Sequence, residues 1–365
     1  MEKWRIFNNE YQLIMYLGLD IGRQYVKMVS VEKTRESYNI LDAGIRLLPE
    51  QNTSYDPEKI DHTHCVMAVK ELLRQQGLNP KRVKSVISGI SGSSSSIKQI
   101  TTMEMPSDEL QSSMTFEARK HIPMDGTDAV IDYQIFGSNN KEIDKIDVGL
   151  VACTKGVINN HINLLKECGL KPGIVDVNPV ALSNAVTFAK DIPEEGLIVI
   201  VDIGAVSSSL VVYGKGKEFF TRDLPLGGHH FVKETAVKNE INYIDAQDLL
   251  FKDGLSSIIN NNTTENIENV RIAERNVYDN LVEDIRRSLR FYAKQTGQSF
   301  FLKIFLTGGA AITPGLVDFT SSKLNVDTAV FDPFELSTGS AFSIENPSQY
   351  TVALGLGIRG GMERD

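Results

Sequence analysis

The sequence is poor in cysteine, in long apolar runs and in basic residues. Its three cysteines, Cys65, Cys153 and Cys168, lie far apart. Such a sparse, odd set excludes a disulfide scaffold and favours reduced thiols in the cytoplasm. No apolar stretch approaches the roughly 20 residues of a membrane-spanning helix, and residues 1–7 lack the apolar core of a secretory signal. A formal net charge of −9 argues against a nucleic-acid-binding protein, which usually carries a basic patch.

Two familiar ligand motifs are also missing. The sequence contains no Gly-x-x-x-x-Gly-Lys-Ser/Thr loop, which excludes the P-loop class of nucleotide-binding proteins. Residues 62–65 hold two histidines and a cysteine, and His229 adjoins His230. Neither group has the four-ligand spacing of a zinc site. We therefore expect these histidines to be surface residues.

Two short segments about 180 residues apart carry matching patterns. An apolar run ends in Asp20-Ile21-Gly22 and another in Asp202-Ile203-Gly204, and a second apolar run follows each of them directly. This pattern predicts two β-hairpins, each with a tight turn that carries an aspartate and a glycine. A glycine turn lets backbone amides approach a phosphate, and an adjacent aspartate can hold Mg²⁺ through water. The duplication therefore predicts two similar lobes that face each other across a nucleotide.

A third motif lies at residues 306–316, where an apolar run ends in Gly308-Gly309. Glycines at this point let a base or ribose lie against bare backbone. Pro314 suits the first turn of a following helix, whose N-terminus would face the phosphates. Alone, the motif is typical of an ordinary strand–helix turn. Together with the two hairpins, it favours an adenosine site.

The apolar spacing predicts an α/β protein in two related halves. Three-strand meanders are expected at 14–47 and 197–224, and a polar turn at 91–96. Further strands are expected at 83–90, 129–136, 147–153, 174–177 and 303–306, and helices at 57–77, 107–120, 155–168, from 178 onward, 232–239, 246–251 and 270–296.

With these motifs in this order, the chain resembles the actin-like ATPase superfamily and, within it, the PilM family of type IV pilus assembly proteins. The resemblance covers residues 14–360. Its most discriminating stretch is residues 105–123, which resembles a small subdomain shared by the PilM and FtsA families. The resemblance implies an α/β, two-lobed actin-like (ribonuclease H-like) fold with an inserted subdomain of the FtsA/PilM type.

The resemblance also implies a division of the chain. The expected parts are an N-terminal arm (1–13), a first lobe (14–96 with 170–195 and 340–365), an inserted subdomain (97–169), a second lobe (196–229 with 300–339) and a small helical subdomain of the second lobe (230–299).

By the same resemblance, ATP with Mg²⁺ would lie between the lobes. Lys27 would reach the phosphates, Asp20 and Asp202 would face the metal, and Gly308 and Gly309 would approach the adenosine. The other expected nucleotide-binding residues are Gly22, Arg23, Gly204, Ser207 and Gly228.

Two residues depart from the family pattern. Related ATPases carry a hydroxyl residue or glycine where this chain has Arg23, which could pair with phosphate or point to solvent. Asn178 stands where many related sequences have a glutamate that orients the attacking water. An amide cannot take a proton as a carboxylate can, so we assign no catalytic residue. We expect weak or no ATPase activity and a nucleotide that acts as a structural or switching ligand.

The function implied is that of a cytoplasmic ATP-binding scaffold in the type IV pilus assembly platform, the machine of twitching motility. Such proteins bind the N-terminal cytoplasmic peptide of the membrane protein PilN, in a groove between the first lobe and the inserted subdomain. Ile122-Pro123 and the neighbouring helix are our candidates for that groove. The chain would reach the inner face of the membrane only through this partner, contact the pilus assembly ATPase and bind no nucleic acid. Homo-oligomer formation is left open by the sequence.

Two alternatives remain. An FtsA-like division protein typically ends in an amphipathic membrane helix, whereas residues 360–365 form no such helix pattern. A small-molecule kinase of the same fold would need an acidic base near the transferred phosphate, and the middle segment offers no clear candidate.

Overall fold

A computed structural model of the 365-residue chain describes residues 15–34, 37–48, 55–57, 59–83, 86–91, 94–121, 128–139, 142–258, 275–336 and 344–362. Its strands are β1 (Met15–Ile21), β2 (Tyr25–Lys33), β3 (Tyr38–Leu47), β4 (Val86–Ile90), β5 (Ser95–Met103), β6 (Ala129–Ser138), β7 (Lys145–Thr154), β8 (Pro172–Val177), β9 (Leu197–Ile203), β10 (Ser208–Tyr213), β11 (Phe220–Leu224), β12 (Phe301–Thr307) and β13 (Thr328–Val330). Its α-helices are α1 (His62–Gln75), α2 (Ser107–His121), α3 (Lys155–Glu167), α4 (Asn178–Ala189), α5 (Gly228–Asn239), α6 (Tyr243–Asp253), α7 (Val277–Thr296), α8 (Leu316–Leu324) and α9 (Thr351–Gly361).

Two five-stranded sheets have the same internal order. The first runs β3-β2-β1-β4-β8 and the second β11-β10-β9-β12-β13. In each sheet an antiparallel three-strand meander continues into two parallel strands. Parallel neighbours need a long crossover connection, which helices supply in both halves. The predicted pair of related α/β halves is therefore confirmed.

Helices α4 and α9 join the two sheets through one apolar core. Ile87 of the first sheet, Ile200 and Phe305 of the second, and Leu182 and Leu356 of these helices belong to the same buried cluster. Helix α4 touches β4 and β8 on one side and β9 and β10 on the other. A helix with apolar residues on most of its surface, such as α4, is typical of such a central position. Because this cluster contains residues of both sheets, the cores of the two sheets are continuous through it.

Small residues let α9 approach its neighbours closely. A Cβ on Gly355 would overlap the backbone carbonyl of Ala181 in α4, and a Cβ on Gly18 of β1 would overlap that of Ala353. The glycine-rich sequence at 353–361 is thus a buried helix rather than a turn. Glycine lowers intrinsic helix propensity by about 1 kcal/mol per residue, so this helix depends on its packing.

The inserted sheet, in the order β5-β7-β6, carries α2 on one face. Leu110, Met114 and Ala118 of the helix pack against Val148 and Leu150 of the central strand. This unit connects to the first sheet through α3, and its edge strand β5 lies beside β11 of the second sheet.

Three element predictions need correction. The helix expected from residue 57 begins at His62, because Asp61 caps it. The turn expected at 91–96 gives way to β5 at Ser95. Helix α8 begins at Leu316 after Gly315, whose φ of 82° is left-handed and not helical. Pro314 is therefore excluded from the first turn of that helix.

Candidate functional site

The two hairpin turns are built alike. The amide of Gly22 donates to the carbonyl of Tyr25 at 3.0 Å, and that of Gly204 to the carbonyl of Ser207 at 3.1 Å. A Cβ at either glycine would lie within 2.9 Å of the same carbonyl oxygen, closer than real Cβ atoms come. Both turns therefore require glycine. The duplicated pattern in the sequence is a duplicated turn in the structure.

The first hairpin carries an ion pair. Asp20 and Lys27 are directly opposite each other in the β1–β2 register. The Lys27 Nζ atom lies 2.8 Å from Asp20 Oδ2, and the two side chains are only 15% and 9% exposed. In the second hairpin the residue opposite Asp202 is Ser209. The site thus has a cation on one hairpin only.

Asp202 belongs to the same group of charges although it lies in the other half of the chain. Burial raises the pKa of its carboxyl to about 6; Lys27 lowers the pKa and Asp20 raises it further. Within the described parts of the chain, no residue donates a hydrogen bond to this carboxylate. Ala205 and Val206, at the tip of the second hairpin, pack against the core of the first sheet. The two hairpins therefore meet, with both aspartates beside Lys27.

The Gly308-Gly309 turn closes onto Asp202. Gly308 has a φ of 90°, and a Cβ there would lie 2.5 Å from Asp202 Oδ1. The turn is held from behind, because Ser348 Oγ donates to the Gly308 carbonyl and Asn346 Nδ2 to that of Gly309, both at 3.1 Å. A Cβ on Gly309 would meet nothing within 4 Å. Bare backbone thus faces open space at Gly309. The helix expected to include Pro314 in its first turn begins two residues later, at Leu316.

The start of α5 lies against the second hairpin. The amide of Gly228 donates to the Gly204 carbonyl at 2.9 Å, and a Cβ on Gly227 would come within 2.7 Å of the same oxygen. Ser207, at the outer end of the turn, is exposed. Gly204, Ser207 and Gly228 are therefore neighbours, as the nucleotide-site prediction requires.

Arg23 is directed elsewhere. Its exposed side chain donates from Nη2 to the Pro57 carbonyl at 2.8 Å. The backbone carbonyl of Arg23 accepts a hydrogen bond from the Tyr55 hydroxyl at 3.1 Å. The guanidinium thus binds the segment before α1. Its contact with a phosphate stays a prediction.

Asn178 is the first residue of α4 and folds over Gly89 of β4. Its side-chain oxygen is buried and accepts no hydrogen bond from the described residues. An amide oxygen can hold a water molecule but cannot remove its proton.

The prediction that His229 is a surface residue is wrong. This residue is buried rather than on the surface, with its ring 5.3 Å from that of Tyr55 and a 3.1 Å hydrogen bond to the Tyr243 hydroxyl. Burial lowers its pKa to about 4. The only feature of the sequence that could have indicated its burial is its position directly after Gly227-Gly228, at the start of a helix. The predicted groove residues Ile122-Pro123 lie outside the described residues.

The donor set suits a metal–nucleotide complex. Mg²⁺ typically keeps several waters and takes one or two carboxylates together with phosphate oxygens. Asp20 and Asp202 offer such carboxylates, and Lys27 offers a phosphate partner. Among the described residues, no cluster of three or more His, Cys, Asp or Glu could hold a metal alone.

Comparison with known proteins gives consistent results. A family model described as "Type IV pilus assembly protein PilM" matches residues 18–361. The solved PilM-PilN type IV pilus biogenesis complex is similar with a TM-score of 0.76 at 22% identity, over 95% of this chain and 99% of that one. EutJ, an ethanolamine utilization protein from Carboxydothermus hydrogenoformans, is similar with a TM-score of 0.52 at 13% identity, over 94% and 89% of the two chains.

Among curated sequences, the cell division protein FtsA of Bacillus subtilis (strain 168) is 22% identical over 96% of this chain and 83% of its own length. These likenesses confirm the two-lobed actin-like fold. In the part of the chain that the structure describes, no helix combines the length and apolar character of a membrane span.

Proposed function

Because the chain belongs to the PilM family of type IV pilus assembly proteins, we propose that it is an ATP-binding scaffold of the pilus platform at the inner face of the cell membrane. The observation that carries the nucleotide part is the meeting of two equivalent hairpins, with the Asp20–Lys27 pair beside Asp202. This arrangement provides one cation and two carboxylates around two glycine turns. It is the charge pattern that a triphosphate with Mg²⁺ requires.

Each group has a distinct part in binding. Lys27 holds phosphate oxygens, and backbone amides of the two turns other than those of Gly22 and Gly204, which donate within the turns, approach the same oxygens. Asp20 and Asp202 hold the hydrated metal, which supplies charge neutralisation when bound. Gly309 offers open backbone to the adenosine. Arg23, Ser207 and Gly228 border the phosphate region.

The proposed nucleotide is a switching ligand more than a substrate. Asn178 orients water without accepting its proton, so hydrolysis is slow or absent. A nucleotide that persists is suited to holding the two lobes in one arrangement.

We further propose that the partner is the N-terminal cytoplasmic peptide of a PilN-type membrane protein. Support comes from the solved structure that bears the names of both proteins and matches this chain over 95% of its length. The peptide would bind between the first lobe and the inserted subdomain, as an extended segment in a groove. That contact would bring the chain to the membrane and to the assembly ATPase. The division into arm, lobes and subdomains is proposed with the boundaries given above.

The nucleotide proposal is tested by calorimetric titration of Mg-ATP into the wild type and the Lys27→Met variant. Loss of one charged hydrogen bond should weaken binding by about tenfold or more. Lys303→Met is a matched control, since Lys303 also lies on a strand and pairs with an aspartate, Asp327, at 2.9 Å. Equal affinity of the two variants, or no binding by the wild type, would overturn the proposal.

The partner proposal is tested separately with a synthetic peptide from the N-terminus of the PilN-type protein. Saturable binding to the full chain is expected, and a scrambled peptide of the same composition should not bind. Rapid ATP turnover that depends on a small-molecule acceptor would instead favour the kinase alternative.

A further inference from the structure

A row of three polar side chains crosses the second sheet. In the β9–β10 register Ser209 is opposite Asp202, and in the β10–β11 register the same Ser209 is opposite Asp223. Directly opposed residues project from the same face of a sheet, about 5 Å apart. Asp202, Ser209 and Asp223 therefore lie side by side.

The row faces α4 and the first lobe. Ile200 of β9 and Val211 of β10 belong to the apolar cluster around α4, whereas Val201 and Leu210 belong to the core on the opposite face. Because side chains alternate along a strand, Asp202 and Ser209 share the face of Ile200 and Val211. The row thus extends outward from the proposed metal position.

A hydrogen bond fixes the role of Ser209. Its Oγ donates to Asp223 Oδ1 at 3.3 Å. A carboxylate can only accept, so in this long contact the single hydroxyl proton of Ser209 is directed at Asp223. What remains are the lone pairs of the hydroxyl oxygen. These can accept a hydrogen bond from a metal-bound water, but they cannot donate to a phosphate oxygen.

In the first hairpin, the residue opposite the aspartate is a hydrogen-bond donor and not an acceptor. Lys27 occupies the position equivalent to Ser209, and its neighbour in β3 is Ile45, whose side chain has no hydrogen-bonding group. Lys27 is therefore a pure donor next to Asp20, while Ser209 is held as an acceptor next to Asp202. The residues opposite the two aspartates are therefore suited to different parts of the ligand, Lys27 to phosphate oxygens and Ser209 to the hydrated cation.

We propose that Asp223 is a positioning residue that makes the second hairpin selective for the hydrated metal, because it holds Ser209 as a hydrogen-bond acceptor. This inference rests on the nucleotide-binding function proposed above. Asp223 touches neither nucleotide nor metal and acts only through Ser209. Its outer side borders a cleft of about 200 Å³ whose wall includes Pro179 and Ser96, so a substitution of similar size has room.

The test is Asp223→Asn, with ADP and ATP titrated by calorimetry in Mg²⁺ and in EDTA. The asparagine amide can donate to Ser209, which releases the hydroxyl proton toward the phosphates. We expect affinity in EDTA to rise by about fivefold, the size of one hydrogen bond, and the enhancement by Mg²⁺ to fall by a similar factor. Ser209→Ala should lose the enhancement without the gain in EDTA.

The double variant separates positioning from a structural role. If Asp223 acts only through Ser209, Ser209→Ala with Asp223→Asn should match Ser209→Ala alone. Asp327→Asn, an exposed carboxylate of the second sheet, should behave as the wild type. An unchanged Asp223→Asn variant, or additive effects in the double variant, would overturn this inference while leaving the nucleotide site intact. A wild type that binds no nucleotide in either buffer would overturn the proposed function and this inference with it.

Discussion

Replacing Asp202 by asparagine should stabilise the ligand-free protein. Burial raises the pKa of this carboxyl from 3.8 to about 6, so its ionised form is less favourable in the folded chain than in the unfolded one. That elevation corresponds to about 3 kcal/mol. An asparagine has the same shape without the charge, and it removes this cost. The free energy of unfolding should therefore rise by about 3 kcal/mol at pH 7.5.

The pH dependence of the free energy of unfolding provides a second test of this stabilisation by Asp202→Asn. A group whose pKa is raised on folding contributes stability that is present below its unfolded pKa and is lost as the pH rises through the folded pKa. The stability gap between Asp202→Asn and the wild type should consequently shrink to about half at pH 5. Denaturant unfolding of the ligand-free proteins at pH 5, 6 and 7.5 measures this gap.

The matched control is Asp20→Asn, the equivalent change in the first hairpin. Asp20 is paired with Lys27 at 2.8 Å in a largely buried position, so Asp20→Asn breaks a direct, largely buried ion pair and should destabilise the protein. Opposite signs for two equivalent aspartates are therefore expected. A destabilised Asp202→Asn variant at pH 7.5, or a gap that is independent of pH, would refute the reasoning.

Two further predictions concern packing and protonation. Gly355→Ala should lower the melting temperature strongly, because the new methyl group would overlap the Ala181 carbonyl. Gly156→Ala is the helical control, since the nearest atom to its new methyl group is 3.9 Å away, and it should be neutral or stabilising by up to about 1 kcal/mol. Equal shifts of the melting temperature in the two variants would contradict this prediction. His229 has its pKa lowered by burial to about 4, so it contributes stability that is present above pH 6.5 and lost as the pH falls toward 4. In the Asp202→Asn background, His229→Gln should make the free energy of unfolding depend less on pH between pH 6.5 and 4.5. The same pH dependence with and without His229→Gln would count against this prediction.

The sequence was informative where structure is local. Each hairpin could be predicted because Asp, Ile and Gly follow an apolar run within one short segment, and the turn depends on those residues alone. The repeat of that segment was enough to predict two related lobes. Helix α7 was equally accessible, since its apolar residues recur at helical spacing over twenty residues.

Features that depend on distant contacts could not be predicted. Helix α9 contains four glycines between residues 355 and 361, a composition that favours a turn until α4 and β1 are placed against it. The partnership of Ser209 with Asp223 depends on the register of β10 and β11, which no local pattern specifies. His229 seemed solvated because the sequence does not reveal that Tyr55, 174 residues earlier, closes over it.

The placement of α4 has a mechanical consequence. This helix touches strands of both sheets, and closely packed interiors resist deformation. A force that separates the hairpins must therefore slide α4 against one sheet or the other, in small steps, rather than swing the lobes apart as free bodies. Asn178 begins this same helix, and Pro179 borders residues 95–98 of the inserted subdomain. A displacement that starts at the proposed phosphate site would therefore also move the end of α4 that borders the inserted subdomain.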